Sequence, residues 1–242
     1  MKKTLASLAL AVALTACANL PPELNQVLQG AAGTMAGGGP GLAESDIAAG
    51  LKEALAVGTQ RTVAYVGKTD GYWRNAAIQI ALPDQVKKVE KTLRTFGQGA
   101  MVDEFHLSLN RAAEKAAPEA AQIFGDAIRG MTLSDARGIL NGPTNAATEY
   151  FRGKTTGALT ARFRPIVAQA TASVGATRKY KDLSTKVSKV VPGYQLQDLD
   201  AYVTDQALAG LFHTLADEEL KIRQDPAART TDLLKKVFGS KR

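Results

Sequence analysis

Apolar side chains recur at intervals of three and four residues through most of the chain from Ser45 to Phe238, and this spacing limits the possible folds more than any other feature. It places apolar side chains on one face of an α-helix, whereas a half-buried strand needs alternation of apolar and polar residues. The clearest run begins with Leu199, Val203 and Ala207. No stretch alternates over enough residues to build a sheet. The sequence therefore predicts an all-α fold, a single multi-helix bundle of about nine helices.

Residues that favour helix starts divide this pattern into separate helices. We expect Ser45 to cap the first helix, Thr132 or Ser134 to cap a short later one, and Asp198 or Asp200 to cap a long one near the C-terminal end. The side-chain oxygens at these positions can accept hydrogen bonds from the free N–H groups of a first helical turn.

Prolines carry two further expectations. Pro83 is expected at the first position of a helix that has Phe96 on its apolar face and ends at Gly97. Two separate helices are expected over residues 146–152 and 156–174, and a proline inside the second one is expected to bend it, because its ring removes an amide donor.

The N-terminal residues 1–16 have the pattern of a secretory signal peptide. Lys2 and Lys3 precede an apolar run from Leu5 to Leu14, and small residues follow. The apolar run spans about ten residues, whereas a membrane-spanning helix needs about 20. We therefore expect the chain to be exported rather than embedded in the membrane, with these residues removed.

The end of this leader, residues 14–17 (LTAC), resembles the bacterial lipoprotein box, in which a cysteine thiol is acylated and becomes the new N-terminus. Cys17 is the only cysteine of the chain and is the predicted lipidation site; the alternative is an ordinary signal peptide with an incidental cysteine. Two or three acyl chains anchor a protein firmly. In Gram-negative lipoproteins an Asp after the acylated Cys tends to cause retention at the inner membrane. Ala18 therefore predicts, by this resemblance, a place in the cell envelope at the periplasmic face of the outer membrane.

A change of composition follows the cysteine. Residues 17–41 contain two adjacent prolines, Pro21 and Pro22, and a cluster of glycines that ends at Gly41. Such a segment gains too little from burial to offset its ordering entropy. We expect residues 17–41 to form a flexible tether and residues 42–242 to form one helical domain.

Four strings then resemble, in order and spacing, a family of uncharacterised Gram-negative bacterial lipoproteins, an all-helical domain of unknown function. The resemblance extends over about residues 42–239 and implies an exported, helical and usually lipidated domain. It implies no activity, cofactor or catalytic residue. The strings are residues 50–55 (GLKEAL), 108–114 (SLNRAAE), 135–142 (DARGILNG) and 225–235 (DPAARTTDLLK).

The small number of Cys and His residues limits the chemistry. One Cys and two His exclude a disulfide framework and a Cys/His zinc site, and we predict no metal and no cofactor. His106 and His213 are interpreted as surface or boundary residues, although Asp103 and Asp217 stand at helical spacing from them and could orient them. The acidic run 217–219 is interpreted as a solvated face. No catalytic residue is predicted.

Two interpretations are open for the polar clusters around Arg111, Arg137 and Arg229. The first is helix capping and salt bridges that hold the bundle together. The second is a polar groove for an anionic ligand, in which these three arginines act as bidentate donors.

The positive charge of the chain, +7 overall, is concentrated in one segment. Nine basic residues and one acidic residue lie between Arg152 and Lys189. The simpler interpretation is a solvated face; the alternative is a contact with anionic lipid or another anionic envelope component. Nucleic acid is not expected as a partner, since the protein is exported and the segment has too few aromatic residues for stacking. The candidate contact residues are Arg178, Lys179, Lys181, Lys186 and Lys189.

These observations predict a lipid-anchored envelope protein that acts as a binding or structural module. The alternative is an envelope enzyme, hydrolase-like, with a polar site assembled from distant helices. The sequence leaves the oligomeric state open.

Overall fold

The computed structural model describes residues 44–175, 177–181 and 198–225. These residues form helices and loops without a strand, which confirms the predicted all-α class. Residues 177–181 are also helical. The predicted leader and the tether lie outside the described residues, and so do residues 226–242. The other elements are α1 (Glu44–Gly67), α2 (Asp84–Thr95), α3 (Gly99–Ala116), a 3-10 turn (Ala117–Glu119), α4 (Ala120–Arg129), α5 (Leu133–Asn141), α6 (Ala146–Ala172) and α7 (Leu199–Gln224).

The two long helices α6 and α7 run antiparallel at the centre of the bundle. The Thr171 hydroxyl, at the end of α6, donates a hydrogen bond to Asp200 at the start of α7 (2.9 Å). At the opposite end, the N–H of Ala147 donates to Glu219 (2.9 Å). The helices α1, α3, α4 and α5 pack around this pair, and the short helix α2 packs on α3.

Aromatic side chains fill the centre of the core. Phe124 of α4 contacts Phe151 of α6 and Phe212 of α7, with ring centroids 5.0 Å and 6.3 Å apart. Phe163 is also fully buried. Edge-on aromatic pairs of this kind add about 0.5–1.5 kcal/mol to the stabilisation from buried area.

Several predicted helix ends are confirmed. Thr132 caps α5 in a reciprocal capping box with Asp135, and Asp198 caps α7 by accepting hydrogen bonds from the N–H groups of two residues in its first turn. Gly97 ends α2 with a φ of 74°, in the left-handed region that glycine adopts at low cost.

Three predicted boundaries are wrong. The first helix begins at Glu44, so Ser45 lies inside it instead of capping it. Pro83 stands one position before α2, because its ψ of 146° is extended. Phe96 follows the last residue of α2 and is 75% exposed, so it does not lie on the buried face.

The two helices expected over residues 146–152 and 156–174 are one helix, α6, with Pro165 in its interior. Its buried residues recur every four positions, from Phe151 to Thr171, which keeps one stripe against the core. Pro165 lies on the exposed side, where water can satisfy the backbone carbonyl that its missing N–H leaves without a helical partner.

Candidate functional site

The loop between α1 and α2, residues 68–83, lies across α3 and is held there by a buried carboxylate. Glu114 Oε1 accepts hydrogen bonds from the backbone N–H groups of Tyr72 and Trp73, both at 3.1 Å. Glu114 is 5% exposed. A buried carboxylate needs such donors, because burial without them is costly.

Arg111 completes this cluster. Its guanidinium donates to Glu114 Oε2 and to Asp70 Oδ1, each at 2.6 Å. The hydrogen bond to Glu114, followed by the one to Asp70, raises the pKa of Arg111. The arginine therefore joins the loop to α3, as the interpretation of structural salt bridges expects, while 37% of its side chain faces solvent.

Two further polar residues of α3 hold the end of the same loop. Asn110 accepts a hydrogen bond from the N–H of Ile80 (2.8 Å) and donates to its carbonyl (3.0 Å). His106 Nε2 lies 2.9 Å from the same carbonyl and must carry the proton, since a carbonyl can only accept. Its ring also packs nearly perpendicular to the ring of Trp73, with centroids 4.9 Å apart. Asp103, which the sequence offered as an orienting partner of His106, is held by Arg94 at 2.6 Å.

Tyr72 carries the loop into the core. It is fully buried, and its hydroxyl donates to the carbonyl of Ala207 in α7 (2.7 Å). Burial raises the pKa of Tyr72, and the nearby charge of Glu114 adds to the effect. The ring packs so closely on Gly210 that a Cβ there would lie 2.6 Å from Cε1 of Tyr72.

A second buried carboxylate lies at the opposite end of the bundle. Glu219 accepts hydrogen bonds from the N–H groups of Ala147 and Thr148 (2.9 and 2.8 Å) and from the Thr148 hydroxyl (2.8 Å). It thus caps α6 from another helix, whereas Asn145, the residue that precedes α6, makes no side-chain cap. Glu219 is 8% exposed, so the interpretation of residues 217–219 as a solvated face is wrong for this residue.

Arg223 links this cap to a third helix. It donates to Glu219 Oε1 through Nε (3.0 Å) and Nη2 (2.8 Å), and Nη2 also reaches the carbonyl of Ile139 near the end of α5 (2.8 Å). The negative charge therefore meets a helix N-terminus and the positive charge meets a helix C-terminus, which is the favourable arrangement at both ends.

The cavities near these residues are small or open. A cavity of about 20 Å³ next to Glu219 is lined mainly by apolar side chains such as Leu51 and Ile222 and has room for about one water molecule. An open groove of about 520 Å³ runs between α1 and α4 over small residues such as Ala64 and Gly125. Within the described ranges, no group of three or more His, Cys, Asp or Glu could hold a metal ion.

In the folded protein, acidic residues lie beside several basic residues of the segment from Arg152 to Lys189. Of the seven basic residues of this segment that the structure describes, four lie next to acidic residues, and three of these acidic residues come from outside the segment's own helices. Lys181 contacts Asp200 (2.7 Å) and the Thr171 hydroxyl (3.2 Å). Arg178 and Lys179 are exposed. The other pairs are Arg152 with Glu149, Arg162 with Glu119 and Arg164 with Asp198.

The remaining candidates from the sequence are only partly described. Arg137 is exposed on α5. Arg229, Lys186 and Lys189 lie outside the described residues. The anionic-ligand groove of Arg111, Arg137 and Arg229 therefore stays a prediction, and so does the anionic-surface contact.

The sequence did not single out Tyr72, Gly210 or the capping role of Glu219. Their partners are far away in the chain: the N–H of Ala147 is 72 residues from Glu219, and Ala207 is 135 residues from Tyr72. Only a larger than expected number of polar residues near helix ends signals such contacts in advance.

Comparisons with known proteins complete these observations. A family model described as protein of unknown function (DUF4197) matches residues 41–239. Neither the curated proteins nor the solved structures contain a match. Among the described helices, none is both long enough and apolar enough to cross a membrane.

Proposed function

The chain belongs to the family described as protein of unknown function (DUF4197), and we propose that it is a lipid-anchored cell-envelope protein that acts as a binding or structural module. The main support for the proposal is that the buried polar side chains of the domain bind its own backbone. Glu114, Glu219 and Asn110 each hold backbone groups of another element in place. The domain uses these groups to fix its shape, which is what a binding or structural module needs.

The anchor in this proposal is acylated Cys17. The apolar leader, the box at residues 14–17 and the uniqueness of the cysteine support it. A second and third acyl chain add about 0.8 kcal/mol for each buried CH₂, so such an anchor holds the protein at a membrane. The residue after the cysteine, Ala18, favours the periplasmic face of the outer membrane.

Mass spectrometry of the mature protein tests the anchor. We expect a chain that begins at Cys17 and carries a diacylglycerol, and we expect Cys17→Ser to move the protein from the membrane fraction to the soluble fraction. A mature chain with free Cys17, or cleavage at another bond, would show that the proposed anchor is wrong.

The proposed partner is an anionic envelope component, with anionic lipid as the specific case. Arg178 and Lys179 support it, because both are exposed and the described residues supply no carboxylate partner for either. Each basic residue near an anionic membrane is worth about 1 kcal/mol before screening by salt. Lys181 contributes less in this proposal, because Asp200 neutralises it.

Co-sedimentation with vesicles tests this contact. The chain from residue 17 with Cys17→Ser is expected to bind anionic vesicles at low salt and to lose binding in Arg178→Gln/Lys179→Gln. A control with the same lost charge is Lys115→Gln/Arg129→Gln, on other exposed surfaces. Equal binding by the two double variants would refute a contact through Arg178 and Lys179.

A further inference from the structure

The turn between α2 and α3 presents an aromatic side chain to solvent. Phe96 is 75% exposed, and its neighbours Gly97, Gln98 and Ala100 are exposed as well. A large apolar side chain at the tip of a turn, surrounded by small and polar residues, protrudes from the surface instead of covering the core. Isolated exposed apolar residues are common, so the exposure of Phe96 alone does not indicate a contact surface. The charges around Phe96 must also be considered.

The exposed side of α2 that leads to Phe96 is basic. Lys88, Thr92 and Phe96 are spaced by four residues and share one side of the helix, and Lys91 lies beside them. Both lysines are exposed, and the described residues supply no ion-pair partner for either.

Four acidic residues lie on α2 and in the first two turns of α3, and one of them, Asp84, stands four residues before Lys88 and shares its side of the helix. Arg94 pairs with both Glu90 (3.0 Å) and Asp103 (2.6 Å), Lys87 pairs with Asp84 (3.3 Å), and the fourth, Glu104, is exposed. The side of α2 with Phe96 therefore combines an apolar tip with two exposed lysines, Lys88 and Lys91, for which the described residues supply no ion-pair partner. This combination is typical of helices that lie at a membrane interface.

Two further exposed basic residues, Arg178 and Lys179, lie at the same end of the bundle. Arg94 of α2 pairs with Asp103 of α3, while Tyr180 contacts Phe105 with ring centroids 5.6 Å apart, and the Thr177 and Ser108 hydroxyls are 3.1 Å apart. Both α2 and residues 177–181 thus pack on the first three turns of α3. We call this region, α2 with residues 96–108 and 177–181, the α2 end of the domain.

We propose that the α2 end docks on an anionic lipid bilayer, with Phe96 inserted at the level of the upper acyl chains and Lys88 and Lys91 against the headgroup phosphates. Insertion removes an exposed aromatic ring from water, and the lysines are drawn to the negative surface potential. This orientation rests on the proposed membrane anchor. It goes further by assigning the face of the domain that meets the lipid.

The α2 end is far from the start of α1, where the segment from Cys17 enters the domain. The middle of α1, from Leu51 to Gly58, lines a cavity with Ala147 and Glu219 at the opposite end of the bundle. The 26 residues between Cys17 and Glu44 can span about 85 Å when extended, whereas α6, with 27 residues, is about 40 Å long. The segment is therefore long enough for the far end of the domain to reach the bilayer.

Tryptophan fluorescence of the protein purified as the cell produces it, and incorporated into vesicles, tests the proposal. In Phe96→Trp we expect a blue shift and quenching by lipids brominated on the upper acyl chain, in anionic vesicles at low salt. The matched control is Leu133→Trp, because Leu133 is 53% exposed at the start of α5, a short helix whose Ile139 lines the same cavity as Leu51 of α1. Both variants retain Trp73, so its signal cancels in the comparison.

Charge variants add a quantitative readout. In the Phe96→Trp background, Lys88→Gln/Lys91→Gln should lower the ratio of docked to undocked protein about twenty-five-fold, about fivefold for each lysine. The control Lys115→Gln/Lys221→Gln removes the same charge away from the α2 end and should leave the ratio unchanged.

Three results would overturn the proposal. One is a spectrum of Phe96→Trp in which the introduced indole stays solvent-exposed, and another is quenching in Leu133→Trp in place of Phe96→Trp. The third is a blue shift of Phe96→Trp in neutral vesicles that grows with the protein-to-lipid ratio, which would mean that a second copy of the chain covers position 96.

Mass spectrometry of the same preparation separates failure of the anchor from failure of docking, because it reports acylation of Cys17. If Cys17 is free, the proposed anchor is wrong, and vesicles are then added to the soluble protein. The same fluorescence spectra decide whether the α2 end docks, with the same expected and contrary outcomes.

Discussion

The cap that Glu219 places on α6 gives the sharpest test of how this fold is held together. In Glu219→Ala, the N–H groups of Ala147 and Thr148 lose their acceptor. Arg223 remains charged, although only 15% of its side chain is exposed to solvent. Removing one partner of a buried pair of this kind costs about 3–5 kcal/mol. For a domain of this size, a loss of about 3 kcal/mol lowers the melting temperature by about 6–12 °C.

Glu219→Gln separates charge from shape. Each carboxylate oxygen accepts from more than one donor: Oε1 from Ala147 and Arg223, and Oε2 from the N–H and the hydroxyl of Thr148. An amide has only one acceptor oxygen, so its NH₂ group must face one set of donors. We therefore expect Glu219→Gln to be destabilised by about 1–3 kcal/mol, less than the alanine variant.

Urea denaturation followed by circular dichroism measures these differences. Asp217→Ala is the control on the same helix, because the Asp217 side chain is 57% exposed and its change should stay within about 0.5 kcal/mol. The double variant Glu219→Ala/Arg223→Ala should be less destabilised than the sum of the single variants, by about 1–3 kcal/mol. If Glu219→Ala unfolds at the same urea concentration as Asp217→Ala, the capping argument is refuted.

Three further outcomes can be measured in the same assay. Gly210→Ala should destabilise the domain by about 1–3 kcal/mol, because its Cβ would lie 2.6 Å from the Tyr72 ring, whereas Gly157→Ala, where the space is open, should stabilise it by about 0.5–1 kcal/mol; equal midpoints would contradict this contrast. The pKa of Tyr72 is raised in the folded state, so the unfolded chain loses this proton first and the free energy of unfolding falls as the pH rises above about 10. Tyr72→Phe should remove up to about 1.4 kcal/mol per pH unit of that slope, and an unchanged slope would disprove the assignment. Thr132→Ala should cost about 1 kcal/mol by removing the cap of α5, and an unchanged midpoint would show that the Thr132 hydroxyl does not stabilise the helix.

Some signals that act within one helical turn gave the correct helix ends, whereas those at Ser45 and Pro83 did not. The caps at Thr132 and Asp198 and the stop at Gly97 each depend on residues at most three positions away, and all three are confirmed. The prediction for Phe96 was wrong because it depended on where α2 ends. Periodicity assigns a residue to a helical face but does not show whether the helix continues far enough to bury it.

Contacts between distant elements could not be predicted in this way. The acidic run 217–219 has no periodic feature that distinguishes Glu219 from its neighbours, yet Glu219 is buried and Asp217 is exposed. The difference arises because the start of α6 lies over one side of α7. Likewise, Glu114 meets Tyr72 only because the 68–83 loop crosses α3, and nothing local to either residue encodes that crossing.

The distribution of charge shows why a count along the chain differs from the charge of a surface. The segment from Arg152 to Lys189 has one acidic residue of its own, but the fold brings Glu119, Asp198 and Asp200 to it from elsewhere. Exposed ion pairs contribute little to stability, yet they cancel the long-range field that attracts an anionic surface. The α2 end contains seven basic and four acidic residues, because basic residues of α2 and of the helical turn 177–181 pack against the same half of α3. Attraction to an anionic bilayer should follow this local balance, which is why the paired lysine variants at the α2 end are expected to matter and those elsewhere are not.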